Sequence, residues 1–364
     1  MLLVAEMSRK SPQKRLSLNA YCQPVKKILI LLLSCLLPLS AAAQAMGVGT
    51  ASFLDYPMSA HVSALGGANA TYYGAESGFQ VLNPALLTQS AMKTVHLNYS
   101  FYLARTGYGS GSYAMALSEN DFLGAGFQFA HYGEVDGYDE GGTPLGRYTA
   151  QDFALSASYA RLLNRYFSIG VTLKPALSHY ADYNYFSLGA DLGIQFTDTA
   201  HCLAVGLTVR NFGGRIAGSE QLAMASRWMP VHLNLGFVKR FRKAPFALHF
   251  TLQDLQKWKY DYAVYGVESD GHVKAGLAFV RKMVLGVDVV PKSDRFFLAL
   301  SYNFDRGLSL QNPYVLSAAG LSLGGGVRLQ AFHFGLGVSF YGKSAVTTHL
   351  TLSMDIDNLN KKKL

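Results

Sequence analysis

The chain has 364 residues, of which 50% are hydrophobic and only 15% are charged, against about 25% charged in an ordinary soluble domain. That excludes a disordered or heavily solvated protein, and 22 Tyr, 22 Phe and 36 Gly against 11 Pro favour closely packed strands over Pro-rich linkers. The formal charge of +9 admits a nucleic-acid partner only if the charge sits on the folded body.

Much of it does not. Lys26 and Lys27 precede an apolar run from Ile28 to Leu39, and small residues come next as Ser40, Ala41, Ala42 and Ala43. This is the order of a secretory signal peptide, so residues 1–43 read as an N-terminal extension and leader, with cleavage after Ala43 or Ala45. The run is short for a spanning helix, which needs about 20 residues. Leu33, Ser34 and Cys35 resemble the end of a lipoprotein cleavage box, although the apolar run continues beyond them. Cutting after Ala43 removes six of the 32 basic residues and one of the 23 acidic ones, leaving +4, of which Lys361, Lys362 and Lys363 supply three. The body is nearly neutral, which argues against nucleic acid as a partner. Cys202 is then the only cysteine, so no intrachain disulfide can form.

Residues 44–92 do not alternate and carry Gly66, Gly67, Gly74 and Gly78. A short helix is expected from Pro84 to Thr88, where Asn83, Pro84 and Ala85 place a rigid turn at its start. A segment of this size ahead of the first strand reads as an extension or as a plug folded into a lumen.

From about residue 93 the period is two. Phe186, Leu188, Ala190, Leu192, Ile194 and Phe196 share one face, while Ser187, Gly189, Asp191, Gly193 and Gln195 share the other. Fourteen strands are expected: 93–104, 107–117, 121–132, 149–162, 166–180, 184–197, 200–211, 230–242, 245–255, 283–291, 295–305, 317–330, 332–341 and 345–356. Many run to 9 residues or more, the roughly 9 to 11 that a tilted spanning strand requires, whereas strands of soluble proteins average about 5 or 6. With the leader and the small, sparsely charged polar faces, this predicts a transmembrane antiparallel β-barrel over 93–356, apolar face to lipid and polar face to the lumen. A secreted soluble β-protein is the alternative. Tyr102, Tyr108, Tyr166, Tyr183 and Tyr341 read as interfacial girdles. His272 to Arg281 alternates poorly and reads as a helix or loop; 133–148, 212–229 and 257–282 read as long surface loops, and 357–364 as a basic tail.

Phe53, Leu54, Pro57, Ser59, Ala60, the run Ala64 to Gly67, and Asn83, Pro84, Ala85 resemble the N-terminal hatch of the long-chain fatty-acid transporters of Gram-negative outer membranes. Leu255, Gln256, Lys257 and Trp258 after a mid-barrel strand, with the Phe340 to Leu352 hairpin, are similar to the PorQ-type outer-membrane barrels of type IX secretion. The second resemblance implies a non-enzymatic scaffold that anchors a surface protein of the PorZ type and works with other secretion components. The first implies a transporter of hydrophobic solutes. Either implies contact with outer-membrane lipid and no cofactor. Gly66, Gly67, Asn83, Pro84 and Ala85 are then structural hatch residues, and Trp258 is an interfacial anchor or a partner contact. In place of the paired acids common in fatty-acid-transporter hatches, this chain has Gly74, Ala75 and Glu76.

Catalytic patterns are weak. Gly320 to Gly324 fits G-x-S-x-G around Ser322, but inside an alternating strand rather than at a strand-to-helix turn. His96, His232, His249, His333 and His349 fall on the lumen faces of five strands, with no two at ligand spacing on one strand, which favours lumen hydrogen bonding over a metal site.

Overall fold

The computed structural model describes residues 50–356 except 75, 89–92, 103–105, 140, 220–226, 259–272, 292, 294, 311–317 and 343–344. The expected leader (1–43) and tail (357–364) lie outside the described residues.

Fourteen strands form one closed antiparallel barrel in which each pairs with its chain neighbours and β1 closes on β14. They are β1 Thr94–Phe101, β2 Gly107–Ala116, β3 Asp121–Tyr138, β4 Pro144–Leu162, β5 Phe167–Tyr180, β6 Tyr183–Asp198 and β7 Leu203–Gly218. β8 His232–Arg240, β9 Phe246–Leu252, β10 Met283–Val289, β11 Phe296–Asn303, β12 Leu321–Leu329, β13 Phe332–Phe340 and β14 Val346–Asp355 complete it. The closing ladder runs from Thr94↔Asp355 to Phe101↔Thr348. Closure leaves no edge strand, so the wall's backbone groups are satisfied internally, as a bilayer requires.

Alternation decides what faces each way. Along β1, Leu97, Tyr99 and Phe101 are exposed while His96, Asn98 and Ser100 are buried. The same parity exposes Leu298 and Leu300 on β11, Phe334 and Leu336 on β13, and Leu350 and Leu352 on β14. An apolar belt round the outside with small and polar residues inside is the inverse of a water-soluble barrel, and it is stable only with lipid against the belt.

Two expected loops prove to be wall in part. Residues 133–138 and 144–148 continue β3 and β4, and 212–218 continue β7. Bulges hide this from a strict two-residue count: the β3/β4 register shifts between His131 and Glu134, and β6/β7 shifts twice. Each extra residue reverses the face of every later position on that strand, so the alternation looks broken while pairing continues. His272 to Arg281 contains a helix, Ala275–Arg281.

The connections are unequal. β2/β3, β4/β5, β6/β7, β8/β9, β10/β11 and β12/β13 are joined at one rim by short turns; the long connections β7/β8, β9/β10 and β11/β12 lie at the other.

Residues 50–88 fill the lumen with short helical pieces: Ser52–Asp55, Ala60–Ala64, Ser77–Val81 and Pro84–Leu86. Ser59 caps the second, its hydroxyl accepting from His61 N–H at 3.2 Å. Gly66 and Gly67 end it: Gly66 N–H donates to Ser63 O at 3.0 Å and Gly67 N–H to Val62 O at 2.9 Å. This is the Schellman pattern, and the φ of +91° at Gly66 is what a glycine supplies there. Asn83 and Pro84 form the expected rigid turn, with Asn83 Oδ1 accepting from Ala85 N–H at 3.0 Å. Asn83 Nδ2 also donates to Ala70 O at 2.7 Å, which ties two parts of the plug together.

Candidate functional site

The wall is cut back to receive the plug. A Cβ on Gly170 would lie 2.5 Å from the Pro84 carbonyl carbon, and one on Gly337 would lie 2.4 Å from the Ala60 oxygen. On the sequence such glycines read as lumen lining; here they are contact points at which hatch backbone lies directly on strand backbone. Serines beside them bond to the same segment: Ser168 Oγ donates to Ala85 O at 2.7 Å and Ser301 Oγ to Ala64 O at 2.7 Å. The hatch residues fall into two groups in the lumen, Gly66 and Gly67 beside β10 and β11 and Asn83, Pro84 and Ala85 against β5 and β6, whereas Trp258 lies apart, exposed just beyond β9 with Lys282 Nζ 4.6 Å over its ring.

Charge is the second tie, and it departs from the expectation of sparsely charged lumen faces. His61 of the hatch stands between Glu76 Oε2 at 2.5 Å and Asp288 Oδ2 of β10 at 3.1 Å. Burial pushes the His61 imidazole down, but the two carboxylates outweigh that and raise its pKa to about 10, so the ring is a cation at neutral pH. The Glu76 carboxyl is held below its usual range in spite of burial, by the same histidine. Glu76 thus holds the hatch histidine although it has no acidic neighbour in sequence.

A second histidine repeats the arrangement from the wall side. His232 Nε2 lies 3.0 Å from Asp55 of the hatch and its Nδ1 2.5 Å from Asp254. Asp55 Oδ1 also accepts from Asn211 Nδ2 at 2.6 Å. Asn211 sits at φ +56°, in the left-handed region that asparagine tolerates better than most residues, at the second β6/β7 bulge. Its backbone N–H donates to Asp191 Oδ1 at 2.8 Å and its Oδ1 accepts from Lys174 Nζ at 3.2 Å, while Lys174 and Asp191 pair at 2.5 Å. The bulge thus turns Asn211 toward the plug and brings its amide against the buried Lys174–Asp191 pair.

Three of the remaining lumen histidines form the expected hydrogen bonds; His249 does not, for its buried ring nitrogens meet no hydrogen-bond partner among the described residues and Nε2 stands 3.8 Å from Asp288 Oδ2. His96 contacts Ser353 Oγ at 2.8 Å and Met58 O at 3.0 Å, His349 contacts Ser100 Oγ at 2.6 Å, and His333 accepts from Arg328 Nε at 3.2 Å. Ser322 is a buried strand residue whose hydroxyl accepts from Arg306 Nη1 at 3.2 Å. Among the described residues no group of three or more His, Cys, Asp or Glu is placed to hold a metal ion.

Three of the five girdle tyrosines are inside. Tyr108 is buried on the face of β2 that carries Ser110 and Ser112, and its ring lies 4.0 Å from that of hatch Tyr56. Tyr102 lies 5.3 Å from Tyr108 and 5.5 Å from Tyr341. Tyr132 and Tyr180 extend the row, both donating to Asp152, at 2.6 and 2.8 Å.

Two spaces flank the plug. At the long-loop rim a chamber of about 250 Å³ is lined by Asp55, Tyr56, Arg210, His232, Asp254 and Arg306, with Gly66 and Gly67 among the hatch residues at its wall. On the lipid side an apolar groove of about 970 Å³ crosses β11 to β14 and β1 to β3, lined by Leu97, Phe129, Leu298, Phe334 and Leu336, with Gly325, Gly326 and Gly335 in its floor. Phe297 lines this groove and also packs on the hatch cluster of Val62, Leu65 and Phe79. Its ring stacks on His61 at 3.9 Å, and Cβ atoms on Gly326 and Gly335 would meet it at 2.3 and 3.7 Å.

A closed lipid-facing barrel whose lumen is plugged by its own N-terminal segment defines the class: a hatch-bearing membrane barrel. The fold is similar to that of the Pseudomonas putida toluene transporter TodX, with a TM-score of 0.50 and 11% identity over 85% of this chain and 98% of that one. A TodX monoaromatic hydrocarbon channel carrying the deltaS2 mutation gives a TM-score of 0.50 and 11% identity over 82% and 97%. A Pseudomonas aeruginosa FadL homologue gives 0.47 and 10% over 85% and 99%. No protein-family model matches the chain, and no curated protein matches it. The likeness is one of fold, and it lends nothing to the type IX attachment reading.

Proposed function

We propose that the protein is an outer-membrane transporter of small hydrophobic solutes, of the class that includes aromatic hydrocarbons and long-chain fatty acids. The observation that carries this is Phe297. On one side it closes an apolar seam between hatch and wall; on the other it reaches the apolar groove through a wall of glycines. A solute that leaves water for this seam gains about 25 cal/mol for each Å² of apolar surface it buries, and it reaches lipid past a wall with few side chains to displace. The likeness to TodX supports the reading. Because the plug fills the lumen, passage requires the hatch to shift.

The test is uptake of radiolabelled toluene and oleate by cells that carry the chain and cells that lack it. Faster uptake with the chain is expected, and slower uptake when Gly326→Val fills the space that Phe297 occupies. Equal uptake in all three would remove the proposal. Loss of a PorZ-type protein from the cell surface on deletion, with uptake unchanged, would instead support scaffolding in type IX secretion.

A further inference from the structure

The β8/β9 hairpin at the short-turn rim combines features found together at no other described turn. From Lys239 to Phe246 it carries Lys239, Arg240, Arg242 and Lys243 and no carboxylate. Three of these cations are held by backbone oxygens, which accept hydrogen bonds and leave the charge in place: Lys239 Nζ donates to His201 O at 2.5 Å, Arg240 Nη2 to Val290 O at 3.1 Å, and Arg242 Nη2 to Ala200 O. Asp198, at the end of β6 on the same rim, is engaged by His201 at 2.6 Å. Arg242 and Lys243 are exposed, and Phe241 and Phe246, 42% and 44% exposed, flank them.

Rings at the end of the apolar belt with cations just beyond them match the acyl-to-headgroup boundary, where an apolar body sits in the chains and a charged tip reaches phosphate. Further round the same rim the theme is weaker: at the β4/β5 turn Arg165 lies 4.5 Å over the Tyr166 ring, and Arg161 at the end of β4 is shared with Asp121 at 3.3 Å. We infer that the β8/β9 hairpin is a binding site for anionic phospholipid, with Arg242 and Lys243 on the headgroup phosphate and Phe241 and Phe246 against the acyl chains. A soluble acidic partner would have no use for the two exposed rings, which favours lipid.

The full chain, reconstituted in vesicles of equal phosphatidylglycerol and phosphatidylcholine, is released for native mass spectrometry, and the ratio of the two retained lipids is read. Phosphatidylglycerol should be enriched, and the enrichment should fall by about fivefold for each cation removed in Arg242→Ala and Lys243→Ala. Arg147→Ala at the opposite rim is the control and should leave the ratio unchanged. Heat-modified migration on gels confirms that each variant has folded. Glycerol phosphate, the headgroup without tails, should not displace the lipid; displacement would reassign the site to free phosphate and overturn the inference. It is equally overturned by equal retention of the two lipids in the unaltered protein. A ratio unmoved by either hairpin variant would also overturn it, as would capture of an acidic protein by the hairpin with that ratio unmoved.

Discussion

The Asp55 carboxylate of the hatch lies 3.0 Å from His232 Nε2 at the start of β8, so the plug is tied by charge to a strand 177 positions further along the chain. Asn211 donates to the same carboxylate at 2.6 Å, and Asp254 holds the far side of the histidine at 2.5 Å. Asp55→Ala strips two partners at once, the fully buried Asn211 and the largely buried His232. It should loosen residues 50–58 by about 1–3 kcal/mol, the cost of leaving such groups unmet. Hydrogen exchange should show lost protection there and unchanged protection in β12 to β14.

The His61 clip predicts a pH window. Its pKa is raised to about 10 in the folded protein, above the ordinary value near 6.5. A raised pKa contributes stability that is complete below about 6.5 and fades as pH rises through about 10. Glu76 works in the opposite sense: its depressed carboxyl contributes above the ordinary range, near 4.3, and that contribution is lost as the solution becomes more acidic. Protection of the Ala60–Ala64 amides, corrected for the intrinsic exchange rate, should therefore be highest between these limits. His61→Gln should flatten the alkaline side.

Gly337 tests the bed on which the hatch lies. A Cβ there would stand 2.4 Å from Ala60 O, while Ala60 N–H is already fixed by Thr351 Oγ1 at 2.7 Å. The neighbour is backbone and has little room to retreat, so Gly337→Ala should destabilise the seated plug by about 1–3 kcal/mol with the barrel intact. In planar bilayers the variant should show ion conductance above that of the unaltered protein. Identical conductance together with identical hatch protection would contradict this packing.

Leu336 lies at the middle of β13 and faces outward. Leu336→Arg should cost about 2–4 kcal/mol of folding stability in lipid vesicles, the cost of a cation at the bilayer midplane. Urea unfolding from vesicles measures it. An unchanged midpoint would mean that water, not lipid, covers this face.

Much of the barrel was legible because alternation is a local property. All fourteen strands are present, and the parity of His96, Asn98 and Ser100 against Leu97 and Tyr99 assigns inside and outside correctly. The same parity placed Tyr108 with Ser110 on the polar face, and reading it as a girdle gave residue type precedence over position. Bulges concealed the ends of β3, β4 and β7. The ties of the site were not legible, since His61 and Asp288 are 227 residues apart and only barrel closure brings them together. The Asn83, Pro84, Ala85 turn could be read, because cap, ring and first helical N–H are consecutive.

The most direct measurement locks the hatch. Ser63 of the plug and Ser339 of β13 have hydroxyls 2.8 Å apart, within reach of a disulfide. Ser63→Cys with Ser339→Cys, in a Cys202→Ser background, should take up labelled toluene or oleate only when reduced. Oxidation should abolish uptake and dithiothreitol should restore it. Equal uptake by the oxidised and reduced forms would contradict a transporter whose hatch must move.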